Sequence, residues 1–231
     1  MKTFKGNSPT ILALIFFSSL FLLSCDKGDE LPTIKDIDGN KYHYVTIGSQ
    51  MWLVENLKTT HFSNGDPILI VKDNNTWSTL TSAACCFYDN DTINTSTFGY
   101  LYNWYAVNDS RGIAPEGWRV ANKDDWEKLY NYVGGIDIAS AMLKEAGTKN
   151  WDKPNEGATN KFGFTALPGG FRDHLGKFYY KGYDGAWWTS SDYDEITAWY
   201  FMMNAETTVL GIGYPRKKNG LSIRCVKDIM Q

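Results

Sequence analysis

Large aromatic rings and frequent glycines recur together along this chain, and that combination restricts the folds open to it. The 231 residues include 9 Trp, 14 Tyr, 12 Phe and 21 Gly. Aromatic residues favour strands, whereas glycines allow the tight turns that join strands. The pattern therefore predicts short strands around large buried rings, and it argues against a helical bundle.

The first 24 residues have the features of a secretion signal. Two lysines precede an apolar run from residue 11 to residue 23, which is too short for a comfortable membrane-spanning helix. The run ends in LLSC at residues 22–25, which resembles the lipobox of bacterial lipoproteins. The resemblance implies that diacylglycerol is attached to the Cys25 thiol and that residues 1–24 are then removed. A lipid anchor in a membrane is therefore expected.

Residues 25–34 are expected to form a lipidated flexible tether, and residues 35–231 a single domain. The residues after Cys25 read DKGDE, and they resemble the surface-export signal of lipoproteins in the Bacteroidetes group. That signal is a lysine followed directly by two acids, and Gly28 interrupts it here. The resemblance implies an outer-membrane lipoprotein, and it leaves open whether the domain faces outward at the cell surface or faces the periplasm.

Alternation and turn signals predict the strands of the domain. Residues 41–47 alternate as a strand, Gly48-Ser49 forms a turn, and residues 50–57 form a second strand, which together predict a hairpin. The polar stretch 73–97 is interpreted mostly as loop. The apolar stretch 100–107 is expected to be buried, whether as strand or as helix.

Two helices are predicted in the middle of the domain. Asn122 can cap the first, and Gly134-Gly135 can end it. Its inward face would consist of Trp126, Leu129, Tyr130 and Val133. A second, shorter helix is expected over residues 138–146, and glycine-punctuated strands over residues 162–226.

Several segments, taken in order, resemble the Fibrobacter succinogenes major paralogous domain, over about residues 35–228. They are IGSQMW at 47–52, ENL at 55–57, FYDND at 87–91, GYLYNWYAV at 99–107, APEGWRV at 114–120, LKEAG at 143–147, GFTALPGG at 163–170, WWTSS at 187–191 and SIRCV at 222–226. The resemblance implies an α+β fold related to C-type lectin-like and formylglycine-generating-enzyme-like domains, with twisted antiparallel sheets and two helices. It implies no established activity.

No set of residues converges on a catalytic site or a metal site, so a non-enzymatic protein without cofactor or metal is expected. The histidines at positions 43, 61 and 174 have no second ligand at metal-binding spacing. A formylglycine-generating oxidase would need a cysteine pair in the C-terminal core, where only Cys225 lies. A net charge of −3, without a basic stretch among the aromatics, gives no support for nucleic-acid binding.

Two segments contain residues of the kind found in calcium sites. Lys153-Pro154-Asn155 has a lysine where a calcium-dependent sugar site needs an acid. The segment Asp89–Asp91 could supply oxygen ligands, but an Asx-rich turn accounts for it better.

Three further cysteines follow Cys25, and export would place them in an oxidising compartment. In relatives of the family, the cysteine before the FYDND-like run occurs together with the cysteine of the RCV ending. The resemblance therefore implies a disulfide between Cys86 and Cys225. Cys85–Cys225 is the near alternative.

The C-terminal half of the sheet carries the ligand-contacting loops in lectin-like domains, so the resemblance places the binding surface in residues 191–219. Alternation with Trp199, Phe201 and Val209 predicts that one face of this stretch is buried and the other is open to ligand. The glycine-rich segment 173–184 is the second candidate. The expected contact residues are Tyr193, Asn204, Glu206, Tyr214 and Arg216.

These expectations combine into a secreted, lipid-anchored binding module that recognises a glycan or a protein. The alternative is a structural component of the cell envelope whose partner is its own assembly. A dense, shallow patch of exposed aromatic rings would favour ligand binding, and a long hydrophobic edge would favour assembly.

Overall fold

The structure, a computed structural model, describes Met1 and residues 31–229. From Leu31 onward the chain forms one compact unit. The predicted signal peptide, the lipidation site Cys25 and the tether up to residue 30 lie outside the described residues. None of the five α-helices in residues 31–229 combines the length and apolar character that a membrane-spanning segment needs.

The unit is a mixed α+β structure in which strands predominate. In chain order the strands are β1 (Thr33–Lys35), β2 (Lys41–Ile47), β3 (Gln50–Leu53), β4 (Leu69–Ile70), β5 (Ala84–Cys86), β6 (Leu101–Tyr102), β7 (Arg119–Val120), β8 (Gly169–Arg172), β9 (Phe178–Lys181), β10 (Asp184–Asp192), β11 (Ala198–Asn204), β12 (Gly211–Gly213) and β13 (Cys225–Asp228). The helices are α1 (Asn74–Thr79), α2 (Ile93–Phe98), α3 (Trp104–Val107), α4 (Lys123–Tyr132) and α5 (Ile136–Leu143), and Tyr88–Asn90 form a 3-10 turn.

The strands form three sheets. The first has the order β1-β2-β3-β13-β7, and it joins the two ends of the unit by pairing Trp52 of β3 with Val226 of β13. The second has the order β12-β11-β10-β8-β9, and the third is the small sheet β4-β5-β6. The second sheet positions the surfaces described below.

The middle of the second sheet lies between two hydrophobic cores. Trp187 belongs to the core that contains Trp126 and Phe201, whereas Trp188 belongs to the core that contains Tyr102. Consecutive strand residues face opposite sides of a sheet, and both tryptophans are fully buried. The centre of this sheet is therefore covered on both faces. This corrects the expectation that one whole face would be open to ligand, and it confines exposure to the edges and ends of the sheet.

The predicted hairpin and helix pair are confirmed, with some shifted ends. β2 has the predicted bounds, whereas β3 ends at Leu53 and not at residue 57. α4 begins with a capping box in which Asn122 and Asp125 each accept a bond from the other's backbone N–H. α5 begins and ends two to three residues earlier than predicted.

The stretch 73–97 contains more secondary structure than its polar sequence predicts. It holds α1, β5, the 3-10 turn and α2. Each of the two six-residue helices has a single buried side chain, Trp77 in α1 and Asn94 in α2. Neither helix therefore shows the apolar periodicity by which a helix is recognised in a sequence.

All three described cysteines are buried free thiols, so the Cys86–Cys225 bridge that the resemblance implied is not formed in this structure. Cys86 packs in a small core with Trp77 and Tyr88, whereas Cys85 and Cys225 belong to one larger core. Adjacent strand residues point to opposite sides, which explains why Cys85 and Cys86 belong to different cores. Burial raises the pKa of all three thiols. Peptide mapping of the exported protein under non-reducing conditions tests both pairings.

Candidate ligand-binding surfaces

Three aromatic rings form a dense surface cluster at the β11–β12 edge of the second sheet. We name Tyr193, Trp199 and Tyr214 the Trp199 patch. The rings of Tyr193 and Tyr214 stack with centroids 4.0 Å apart and planes 7° from parallel. Trp199 meets both rings nearly at right angles, at centroid distances of 5.0 and 5.7 Å. Tyr193 and Tyr214 remain 47% and 51% exposed, so the stacked pair forms the outer surface of the patch.

Strand register brings Trp199 and Tyr214 together. Tyr200 of β11 pairs with Gly213, the last residue of the antiparallel strand β12. Trp199, one residue before Tyr200, and Tyr214, one residue after Gly213, therefore lie side by side on the opposite face. Gly213 is required here, because a Cβ at this position would come within 2.6 Å of the Tyr200 ring. The register therefore fixes two of the three rings without any ligand.

The loop that carries Tyr193 is held by a buried lysine. Lys217 Nζ donates to the backbone oxygens of Asp194 and Glu195, at 2.6 and 3.2 Å, and lies 2.7 Å from the carboxylate of Asp192. The Asp194 carboxylate accepts bonds from the N–H groups of Ile196 and Thr197 in the same loop, and these bonds hold the pKa of Asp194 below its usual range. The loop is thus ordered by its own polar contacts.

Helix α4 contributes a cation to the rim of the Trp199 patch. Lys123 Nζ lies 5.2 Å from the centroid of the Trp199 ring and pairs with Glu127 one turn further along the helix. The hydrogen bond to Glu127 raises the pKa of Lys123. The cation beside the patch is therefore already paired.

A second aromatic surface lies at the opposite edge of the same sheet, on β8 and β9. We name Phe171, Tyr179, Tyr180 and Tyr183 the Tyr180 ribbon. Phe171 lies 5.8 Å from Tyr179 and 5.9 Å from Tyr180, and Tyr180 lies 6.0 Å from Tyr183, all between ring centroids. Tyr179 and Tyr180 are 37% and 55% exposed. The rings lie side by side and present their faces and edges to solvent.

The Tyr180 ribbon depends on an uncommon backbone conformation. Consecutive side chains of a regular strand point to opposite sides, yet Tyr179 and Tyr180 both contact Phe171. A φ of +62° at Tyr180 breaks the alternation and turns its ring to the side of Phe171. A bulky residue in the left-handed region costs about 1–3 kcal/mol. The surrounding structure thus holds Tyr180 in an unfavourable conformation that builds the ribbon.

Glu206 lies at the Tyr183 end of the ribbon, and Asp184 is the next residue after Tyr183 in the chain. Glu206 accepts a hydrogen bond from the Tyr183 hydroxyl, and this bond is the main reason why the pKa of Tyr183 is raised. Asp184, the first residue of β10, is only 6% exposed. Burial raises the pKa of Asp184 to about 6.

A fully buried arginine fixes the β8–β9 hairpin to the rest of the domain. Arg172 donates to the backbone oxygens of Gly176 at 2.9 Å, Val71 at 2.6 Å and Lys72 at 2.9 Å, and to Asn74 Oδ1 at 2.9 Å. Its guanidinium also lies 4.5 Å from the Trp77 ring and 4.9 Å from the Phe178 ring. Sequence reasoning missed this residue, because nothing local distinguishes an arginine with carbonyl partners from an exposed one.

The predicted contact residues divide between the two surfaces. Tyr193 and Tyr214 come together in the Trp199 patch, and Arg216 is exposed near it, where its backbone forms a β-bridge with Thr197.

Asn204 lies away from the patch. It is five residues beyond Trp199 on β11, which is about 16 Å at the usual strand rise. Its Oδ1 accepts a bond from the Glu206 N–H at 2.9 Å.

Glu206 lies at the Tyr180 ribbon and not at the patch. The second candidate segment, 173–184, supplies three rings of that ribbon. Two of the apolar residues expected to be buried in 191–219 are open to solvent: Trp199 is part-exposed, and Val209 is 42% exposed.

The other candidate ligand side chains His43, His61 and Asn155 have partners within the fold. His43 Nδ1 lies 2.6 Å from Glu55, and His61 Nδ1 lies 2.5 Å from Asp38. The buried Asn155 amide donates to two backbone oxygens, at 2.9 and 2.6 Å. Across residues 31–229, no group of three or more His, Cys, Asp or Glu side chains is arranged to hold a metal ion.

Comparison with known proteins identifies the family of the chain. The family model described as the Fibrobacter succinogenes major domain matches residues 45–227. The matched region contains both the Trp199 patch and the Tyr180 ribbon. No curated protein and no solved structure is similar enough to this chain to count as a match. Because the family model covers well over half of the 231 residues, the chain belongs to the Fibrobacter succinogenes major domain family.

Proposed function

We propose that this protein is a non-enzymatic binding module that recognises a glycan or a protein through the Trp199 patch. The observation that carries the proposal is the stacked, half-exposed pair of Tyr193 and Tyr214 over Trp199. Tyrosine offers a large, rigid and amphipathic contact surface at a low cost in conformational entropy. The rings are already ordered by their own contacts, so that binding has little further ordering to do.

The finer fold assignment belongs to the same proposal. We infer a C-type lectin-like fold, and two features support it. The first sheet pairs a strand from each end of the unit, β3 with β13, and the consecutive helices α4 and α5 contact each other. Fold alone does not imply function, so the proposal depends on the Trp199 patch.

The test combines a glycan array and a pull-down with the unit from Leu31 onward, which contains the three core clusters described. Replacing Tyr193 and Tyr214 together with alanine should weaken binding of the recovered ligand at least about tenfold, which corresponds to about 1.4 kcal/mol. The melting temperature should change little, because both rings are exposed.

Two single variants act as controls for this test. Tyr132→Ala removes a tyrosine of similar exposure, 59%, on helix α4, and it should leave binding unchanged. Asn204→Ala should also leave binding unchanged, because Asn204 lies far from the patch. The proposal is wrong if Asn204→Ala abolishes binding while the double variant retains it.

A structural role in an envelope assembly is the second candidate, and the β9 edge favours it. Residues 179–181 of this edge strand are exposed, and an open edge strand can pair with another chain. Sedimentation over a wide range of protein concentration tests this role. Self-association that Tyr179→Lys abolishes would support assembly, whereas a monomer at every concentration would exclude assembly through β9.

We further propose that Cys25 carries a lipid that anchors the protein to the outer membrane, with the domain displayed at the cell surface. The carrying observation is the LLSC sequence at residues 22–25. Cys25→Ala should abolish labelling by a fatty-acid probe and leave an unprocessed precursor, whereas undiminished labelling would contradict the proposal. Digestion of the domain by protease added to intact cells tests the outward orientation.

A further inference from the structure

Arg216 is an exposed cation, and strand register fixes its place beside the Trp199 patch. The register that pairs Tyr200 with Gly213 continues without a shift to a β-bridge between Thr197 and Arg216. Side chains two residues apart on a strand share one face of the sheet. Arg216 therefore stands on the same face as Tyr214, about 7 Å further along the chain at the usual strand rise.

Backbone hydrogen bonds on both sides of this bridge hold Arg216 in register. The Lys217 N–H donates to the oxygen of Ile196 at 2.9 Å, and the Ala198 N–H donates to the oxygen of Pro215 at 3.3 Å. This pattern is that of a regular antiparallel pair. The backbone that carries Arg216 is therefore as well ordered as the backbone that carries the rings.

The charge of Arg216 is left without a partner, whereas the other charges near the patch have one. Its guanidinium makes neither a hydrogen bond nor an ion pair with the residues in 31–229. Asp192 pairs with Lys217, and the Asp194 carboxylate accepts N–H groups of its own loop. Lys123 is paired within helix α4. Arg216 therefore offers a positive charge that a ligand can complement.

We infer that the Trp199 patch binds a glycan that contains a uronic acid, with the pyranose ring packed against Tyr214 and the carboxylate held by Arg216. This inference rests on the proposed function and names the class of ligand. The planar guanidinium matches a carboxylate and binds it through two parallel N–H···O bonds. The negative face of an aromatic ring attracts the weakly positive C–H groups of a sugar ring.

The charges of the Tyr193 loop favour a uronic acid over an acidic segment of a protein. Asp192, Asp194 and Glu195 are all exposed in or beside this loop. An acidic segment carries several carboxylates on flexible side chains, so that it would be repelled by these acids and would lose conformational freedom on binding. A uronic acid carries one carboxylate on a rigid ring. It therefore needs a single cation beside an aromatic surface, which is the arrangement that Arg216 and the patch provide.

The experiment uses an array of oligosaccharides of glucuronic, galacturonic, mannuronic and guluronic acid, each placed beside its own methyl ester. Esterification removes the charge and keeps the sugar ring. The unit from Leu31 onward is applied to the array, and calorimetry at pH 7 then measures the affinity for the pair that retains it best. The acid should bind at least tenfold more tightly than its ester, and this preference should shrink as the salt concentration rises.

Variants of two arginines show whether Arg216 carries this preference. Arg216→Gln should abolish the preference and leave binding of the ester unchanged. Arg216→Lys keeps the charge but loses the planar fork, so it should retain only part of the preference. Arg111→Gln is the matched control, because it removes another exposed arginine, and it should leave both affinities unchanged. Circular dichroism verifies that each variant is folded.

The outcomes separate this inference from the proposed function. Equal binding of acid and ester, abolished when Tyr193 and Tyr214 are both replaced with alanine, would overturn the inference and leave the proposed function intact. Binding of the acid that survives this double replacement would contradict both. Retention of no uronic acid on the array, an unchanged preference in Arg216→Gln, or tighter binding of a glutamate oligopeptide would each overturn the inference alone.

Discussion

The two edges of the second sheet carry aromatic surfaces that are built in different ways. In the Trp199 patch the rings stack on one another, and the nearby charges of Asp192, Asp194 and Lys123 all have partners. In the Tyr180 ribbon the rings lie side by side, and Tyr180 is held in a strained backbone conformation. The patch therefore has no strained residue among its rings, whereas the ribbon depends on an unfavourable backbone conformation at Tyr180.

The two surfaces also differ in what holds them in place. In the Trp199 patch, strand register holds Trp199 and Tyr214 in place, and Lys217 holds the loop that carries Tyr193. The Tyr180 ribbon is held in place by the interior of the domain, because the buried Arg172 connects the β8–β9 hairpin to residues 71–74 by hydrogen bonds. Disturbing one surface should consequently leave the other intact.

The largest effect is expected from Arg172→Ala. The change leaves several buried carbonyl oxygens without a donor and opens a cavity beside Trp77 and Phe178. We expect the free energy of unfolding to fall by about 3 kcal/mol. Urea denaturation measures the loss, and NMR should show broadened ring resonances of Tyr179 and Tyr180 with those of Tyr193 and Tyr214 unchanged.

Arg111→Ala is the matched control for this prediction. Arg111 also has several partners, but its side chain is 37% exposed and pairs with the surface carboxylates of Asp66 and Asp109. Exposed ion pairs contribute about 0–1 kcal/mol. A loss in Arg172→Ala no larger than in Arg111→Ala would show that the buried arginine does not anchor the ribbon.

The sequence predicted the parts of this fold that depend on local signals. Asn122 identified the start of α4 because its side chain accepts the N–H of Asp125 three residues later, and the β2–β3 hairpin followed from alternation around Gly48-Ser49. These features need only neighbours in the chain.

The arrangement of the two surfaces could not be read from the sequence, because it depends on distant contacts. Trp199 and Tyr214 meet through the register of β11 and β12, and Asn204 lies five residues further along β11 than Trp199. Tyr180 is not a glycine, so nothing in the sequence indicates its positive φ. The burial of Asp184, which raises its pKa, is likewise a property of its surroundings in the folded chain.

The second largest effect concerns the strain at Tyr180. Tyr180→Gly removes a ring but relieves the left-handed backbone, whereas Tyr179→Gly removes a ring from an ordinary strand position. Tyr180→Gly should therefore cost less stability than Tyr179→Gly, by about 1–2 kcal/mol. Urea denaturation of the two variants gives the difference directly, and equal losses would show that the conformation of Tyr180 stores no strain.

A smaller and pH-dependent effect is expected from Asp184→Asn. The folded-state pKa of about 6 lies above the ordinary value of 3.8, so the fold favours the protonated carboxyl. This contribution to stability is complete below about pH 4 and is lost as the pH rises through 6. The variant should be more stable than the parent protein at pH 8, by about 1 kcal/mol after allowance for solvent screening.

Thermal unfolding at the two pH values measures this prediction. About 1 kcal/mol corresponds to a rise in melting temperature of about 2–4 °C for a domain of this size, and the rise should vanish at pH 4. Asp124→Asn replaces an exposed carboxylate on α4 and should show little change at either pH. A destabilised Asp184→Asn at pH 8 would mean that Asp184 has a favourable partner in the folded protein.

The smallest effect is expected within the Trp199 patch, where Tyr214→Phe should leave the melting temperature unchanged and alter only the ionisation of Tyr193. The pKa of Tyr193 is raised, chiefly by the negative charge of the Tyr214 phenolate and next by its hydrogen bond with Tyr214. A phenylalanine carries neither, so the pKa of Tyr193 should fall towards its ordinary value. NMR titration of the Tyr193 ring measures the shift, and Tyr179→Phe in the Tyr180 ribbon should leave that titration unaltered. An unshifted Tyr193 in Tyr214→Phe would mean that the two rings are not stacked in solution, and a shift caused by Tyr179→Phe would mean that the two surfaces are electrostatically coupled across the sheet.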